Sequence, residues 1–82
     1  MERVIFRKWR ENGDVIAFLP DVDANPGFTM SYEHIGQHGE ADYYGCLAKT
    51  RLATPKEYGE LLNELKTIGY NNLAIRKRLA IN

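Results

Sequence analysis

The 82-residue chain predicts an α+β fold, a small antiparallel or mixed β-sheet with one helix packed on it. Three observations carry this. An amino-terminal run of β-branched and aromatic residues turns back at Asn12-Gly13. A later run repeats its apolar residues every three or four positions between a capping signature and a glycine. The last run returns to alternation.

The hairpin comes first. Residues 3–10 and 15–19 have strand composition, and Asn12-Gly13 between them is a strong hairpin signal. A two-residue turn would set Trp9 opposite Ile16 and Arg7 opposite Phe18 on one face. Phe6 would then face Leu19, and Lys8 would face Ala17, on the other. Both faces are partly apolar, so a second element or a second subunit is expected to cover the face opposite the helix. Residues 21–27 read as a loop with two acids, Asn25-Pro26 and a glycine. Residues 28–35 alternate as a middle strand, with Phe28, Met30, Tyr32 and His34 on one face, and Gly36-Gln37-His38-Gly39 breaks it. Residues 43–51 admit either a further strand or a short helix begun by Asp42, and Gly45 weighs toward strand.

The helix spans about residues 55–68. Thr54 is its N-cap, Pro55 takes the first helical position and Glu57 completes a capping box. Tyr58, Leu61, Leu62, Leu65 and Ile68 form one apolar stripe, and Gly69 stops it. Residues 73–79 close the chain as a strand, with Arg76 and Arg78 on one face and Leu73, Ile75 and Leu79 on the other.

Eleven bases balance eleven acids, but they are segregated. Residues 1–10 carry four bases against Glu2. Residues 11–46 carry seven acids and no Lys or Arg, and residues 47–82 carry seven bases against three acids. No run approaches the roughly 20 apolar residues of a membrane-spanning helix. The amino terminus alternates charged and apolar residues, unlike a signal peptide. Cys46 is a lone cysteine, so no internal disulfide can form. A single cytoplasmic domain over residues 1–82 is expected. A core this small, with neither disulfide nor metal, often gains an oligomer interface, so a homo-oligomer is expected as well.

The candidate site lies around residues 32–45, which hold both histidines, three of five tyrosines and three of seven glycines. Tyr32, His34, Gln37, His38 and Tyr43 offer directional hydrogen bonds and stacking surfaces for a base and sugar. Arg7, Arg76 and Arg78 offer guanidinium contacts to phosphate, provided the first and last strands are neighbours. These residues are the proposed ligand set for a small anionic, nucleotide-like molecule. The neutral total and the acidic middle argue against general or sequence-specific nucleic-acid binding. Alternatively, the acidic middle is the working surface against a host protein, through Asp21, Asp23, Glu40 and Asp42. His34, His38 and Asp42 recur every four residues, but Gly36 and Gly39 oppose the helix that would align them, so no metal or cofactor is expected. A small hydrolase using His38 with Asp42 or Cys46 is the least favoured reading, and the chain is expected not to be an enzyme.

Several stretches carry a resemblance over nearly the full length: Arg3-Val4-Ile5-Phe6-Arg7-Lys8, Val15-Ile16-Ala17-Phe18-Leu19-Pro20, Ala53-Thr54-Pro55-Lys56-Glu57-Tyr58, Ile68-Gly69-Tyr70 and, most distinctively, Gly36-Gln37-His38-Gly39 within residues 30–39. The chain resembles a group of small uncharacterised proteins of gut-type bacteria, their phages and mobile elements. The resemblance implies a compact accessory protein that works by binding, for instance as an inhibitor or an anti-defence sponge. It assigns no role to any residue.

Overall fold

The structure is a computed structural model, and it describes residues 2–22, 24, 26, 28–33 and 37–78. Eight elements follow in order: β1 (Glu2–Trp9), β2 (Val15–Leu19), β3 (Thr29–Glu33), β4 (Gln37–Ala41), α1 (Tyr43–Leu47), β5 (Thr50–Leu52), α2 (Pro55–Thr67) and β6 (Leu73–Arg76). The strands form one mixed sheet, so the fold is α+β with one main helix on the sheet. The order is β4-β3-β2-β1-β5, with β6 also paired to β1. β1 divides its second edge between two partners. Its first half runs parallel to β6, from Glu2 opposite Leu73 to Ile5 opposite Arg76. Its second half runs antiparallel to β5, from Arg7 opposite Leu52 to Trp9 opposite Thr50. The handover falls at Phe6, whose carbonyl accepts from Ala53 N–H at 3.1 Å.

The β1–β2 hairpin has a longer turn than Asn12-Gly13 alone predicts. Lys8 lies opposite Val15 and Arg7 opposite Ile16, a register two residues from the expected one. Residues 10–13 make the connection. Trp9 N–H donates to Asp14 O and Gly13 N–H donates to Trp9 O. Asn12 accepts Asp14 N–H on its side chain, and Gly13 takes φ 80°. A shift of two positions keeps every side chain on its face, whereas a shift of one would invert them all. The predicted faces therefore stand although the predicted pairs do not.

Residues 43–51 divide into a helical turn and a strand, which corrects the weight given to strand. Asp42 caps α1 by accepting Gly45 N–H at 3.2 Å. Gly45 is what allows this, since a Cβ there would sit 2.5 Å from the Asp42 carboxylate. The glycine counted against the helix is thus part of its cap. Residues 37–41 are strand β4, paired residue by residue with β3 from Thr29–Ala41 to Glu33–Gln37, where a break was expected.

Helix α2 follows its sequence signals closely. Thr54 and Glu57 form the reciprocal capping box. At the other end Tyr70 N–H reaches Leu65 O and Gly69 N–H reaches Lys66 O, with Gly69 at φ 120°. That is a Schellman closure, which needs a residue free to take positive φ. The last strand is shorter than predicted, ending at Arg76.

Two apolar clusters sit on opposite faces of the sheet. Under α2, Val4, Phe6, Ala17, Leu19 and Tyr32 pack against Leu61 and Leu65. Beyond the sheet, Ile5, Ile16 and Phe18 pack against Tyr43 of α1, with Trp9, Cys46 and Leu47 around them. The second apolar face is thus covered from within the chain by α1. Each fully buried large apolar side chain contributes about 1.5–3 kcal/mol. Ile68, placed on the apolar stripe by periodicity, is 47% exposed at the C-cap.

Candidate functional site

The predicted ligand residues fall in three places. Tyr32 and His38 are opposite each other on β3 and β4, on the α2 face. Tyr32 is fully buried, and its hydroxyl donates to Glu64 Oε1 at 2.7 Å. His38 is exposed and stands edge-on to Tyr32 with ring centroids 4.7 Å apart. Its Nε2 shares a 3.1 Å hydrogen bond with the Tyr70 hydroxyl. Burial, then the charge of Glu2, pushes the Tyr70 phenol up, so it keeps its proton, and the imidazole tautomer sets which of the two donates. Gln37 is opposite Glu33 at the start of β4.

Tyr43 and Arg7 belong to the other face. Tyr43 is buried edge-on against Phe18. Arg7 donates from Nε to Thr50 Oγ1 at 2.7 Å and from Nη2 to Thr50 O at 2.9 Å. Thr50 in turn donates to Cys46 O. Arg7 therefore clamps β1 to β5 and α1.

Arg76 and Arg78 stand at the far edge of the sheet, exposed, on β6 and just past it. Four strand spacings separate β4 from β6, about 19 Å at the usual interval. The structure joins Tyr32 with His38, and it separates both from Arg76 and Arg78 within one chain. His34 lies outside the described residues.

Of the acidic set, Asp21 is engaged by Arg3 through both its side chain and its backbone N–H. Those hydrogen bonds lower its carboxyl to about 2. Asp42 is the α1 cap, Glu40 is exposed on β4, and Asp23 lies outside the described residues. The residues of the hydrolase reading, His38, Asp42 and Cys46, all line one open cleft of about 440 Å³ beside β4, with no hydrogen bond between their side chains among the described residues. His38 stands on the α2 face and Cys46 packs into the cluster on the other. Burial, then the charge of Asp42, pushes the Cys46 thiol up and away from thiolate. Among the described residues no group of three His, Cys, Asp or Glu side chains is placed to hold a metal ion, and no helix is long and apolar enough to cross a membrane.

A feature missed by sequence reasoning lies where β5 and β6 meet end to end along β1. An apolar cavity of about 150 Å³ opens there, walled by Phe6, Leu52, Ala53, Pro55, Tyr58 and Ile75, with Arg76 and Lys77 also in the lining. Phe6 and Tyr58 stack at 4.4 Å, nearly parallel. Leu52 and Ile75 are 39% and 42% exposed. Arg3, Lys8 and Arg51 all hold carboxylates. Among the described residues no ion pair engages Arg76, Lys77 or Arg78. The only sequence signal was Leu52 and Ile75, each next to an arginine, and the handover at Phe6 is what makes them neighbours.

No protein family matches the chain, and no curated protein or solved structure is similar to it.

Proposed function

We propose that this chain is a non-enzymatic binding module, working as a homo-oligomer, that sequesters a small anionic ligand of nucleotide type. The observation that carries the proposal is the apolar cavity lined by two cations, Arg76 and Lys77, that no described carboxylate pairs, with Arg78 next in the chain. An apolar cavity of about 150 Å³ has room for one aromatic ring. Arg76, Lys77 and Arg78 would then meet phosphate, with the arginines able to bind it in bidentate fashion. This keeps the phosphate role expected of Arg76 and Arg78. It moves the ring from Tyr32 and His38 to the wall formed by Phe6, Tyr58, Leu52 and Ile75. The resemblance to phage and mobile-element proteins supplies a setting, the capture of a nucleotide-like signal in the cytoplasm.

A thermal-shift screen with cyclic and linear nucleotides tests this. A ligand at 100 times its Kd adds about 2.7 kcal/mol of apparent stability. Stabilisation is expected from at least one nucleotide. It should be lost in Ile75→Trp, which fills the cavity, and in the double variant Arg76→Glu, Arg78→Glu, and kept in His38→Ala. No stabilisation at millimolar concentration removes the proposal.

One observation favours a second reading, a protein-interaction inhibitor with an acidic surface. A cleft of about 360 Å³ between the β1–β2 turn and α2 is lined by Asp14, Glu33, Glu57 and Glu60. Glu57 is balanced by Lys8 and Arg51. In this reading a basic segment of a host protein fills the cleft. Salt-sensitive binding of a lysine-rich peptide, lost in Asp14→Asn, Glu33→Gln, Glu60→Gln, is its expected mark.

A further inference from the structure

The outer edge of β4 is an open strand edge: among the described residues no strand pairs with it. Such an edge presents unpaired N–H and C=O groups, and proteins guard it with Lys, Pro or a bulge. β4 carries no Lys and no Pro. The opposite edge differs. There β5 holds Arg51, and β6 with the residues after it holds Arg76, Lys77 and Arg78, so like charges oppose self-pairing.

We infer that β4 pairs antiparallel with β4 of a second copy, about a two-fold axis at Gly39, to give one sheet running through both subunits. This rests on the homo-oligomer in the function proposed above and names its interface. Symmetry limits the options. A two-fold axis normal to the sheet keeps both α2 helices on the same face. The register can then change only in steps that put a residue opposite itself, and the three that keep most of β4 paired set His38 opposite His38, Gly39 opposite Gly39, or Glu40 opposite Glu40. Two of these set identical ionisable groups against each other. The one centred on Gly39 sets His38 opposite Glu40 of the partner subunit, twice. Imidazole offers the carboxylate an N–H donor and, when protonated, the opposite charge. His38 and Glu40 both lie on the α2 face, opposite Tyr32 and Met30, and both are exposed. Gly39, between them, has no Cβ, and one built there would meet nothing within 4 Å. In this arrangement Glu40 is a specificity element of the edge rather than its guard.

Sedimentation and light scattering on the full chain test the inference, with circular dichroism confirming that each variant folds. The wild type is expected at twice the 9.4 kDa chain mass. His38→Glu should weaken the dimer by about tenfold or more, since it places carboxylates opposite one another twice, and Glu40→Lys should do the same, since it removes the carboxylate that accepts from His38 and sets an ammonium there, twice. The double variant His38→Glu, Glu40→Lys should restore it. An equimolar mixture of the two single variants should form a heterodimer. The introduced glutamate of one chain would then meet the introduced lysine of the other, and the remaining contact would keep the native imidazole and carboxylate. Should His38→Glu fail to fold, Glu40→Lys alone decides. A monomeric wild type overturns both this interface and the oligomer. A dimer whose mass ignores Glu40→Lys, or that the double variant does not restore, overturns the interface and leaves the oligomer standing.

Discussion

Three side-chain arrangements explain why a chain with segregated charge folds without self-repulsion. Arg3 reaches from the basic amino terminus to Asp21 in the acidic stretch, at 2.8 Å. Glu57 receives Lys8 at 2.7 Å and Arg51 at 2.6 Å while also capping α2. Arg7 spends its donors on Thr50. Both carboxylates are lowered, Asp21 chiefly by its hydrogen bonds from Arg3 and Glu57 chiefly by Arg51 and then Lys8. A carboxylate with a depressed native pKa stabilises the fold above its unfolded value and loses that contribution as pH falls toward the native one. For Asp21 the window runs from 3.8 down to about 2. For Glu57 it opens at 4.5 and extends below the usual carboxylate range. Urea melts at stepped pH should show wild-type stability falling through this range, with a shallower fall in Asp21→Asn and in Glu57→Gln. Raising salt should narrow the difference, because these groups lie at the surface.

At the scale of elements, caps decide more than propensity. Helix α2 was legible because its start and stop are chemical and local: Thr54, Pro55, Glu57 and Gly69 lie within a few residues of the groups they satisfy. Replacing Thr54 by Ala should cost about 1 kcal/mol, within a range of about 0.5–2, and Gly69→Ala should cost about 1 kcal/mol or more through its positive φ. Helix α1 was less legible. Its five residues carry too few positions for periodicity, and Gly45 reads as a breaker until the Asp42 side chain is seen lying over it. Asp42→Ala is expected to free Gly45 N–H and lower stability by about 1 kcal/mol in urea denaturation. The hairpin was legible in its faces and not in its register, because a turn of two residues and one of four leave the same alternation.

At the scale of the whole molecule, the sheet carries a core on both faces and lets one strand serve three partners. Leu65 is fully buried in the α2-side cluster, so Leu65→Ala should destabilise by about 2–5 kcal/mol. Leu52→Ala, at 39% exposure on the cavity rim, should cost far less while weakening nucleotide binding. Of the candidate site, Tyr32 and His38 were legible as members of a histidine-, tyrosine- and glycine-rich stretch, but their pairing was not, because residues 36–39 read as a break rather than as a return strand. The cationic half was legible as two basic strands, and β1 does neighbour β6. What could not be read was that Arg3, Arg7 and Lys8 are already engaged, leaving Arg76 and Lys77 on the cavity, and Arg78 next in the chain, as cations that no described carboxylate holds.

The sequence by itself determined the α+β class, the extent of α2, the two apolar faces and the positions of the charge blocks. Those follow from local chemistry and from periods of two and 3.6 residues, which need no knowledge of distant partners. The tertiary structure alone decided that β5 and β6 share one edge of β1, that α1 covers the second face, and that His38 and Arg76 stand at opposite edges. Each of these depends on which strand finds which neighbour. That choice is made by long-range packing, and it places residues 6, 52 and 75 around one cavity.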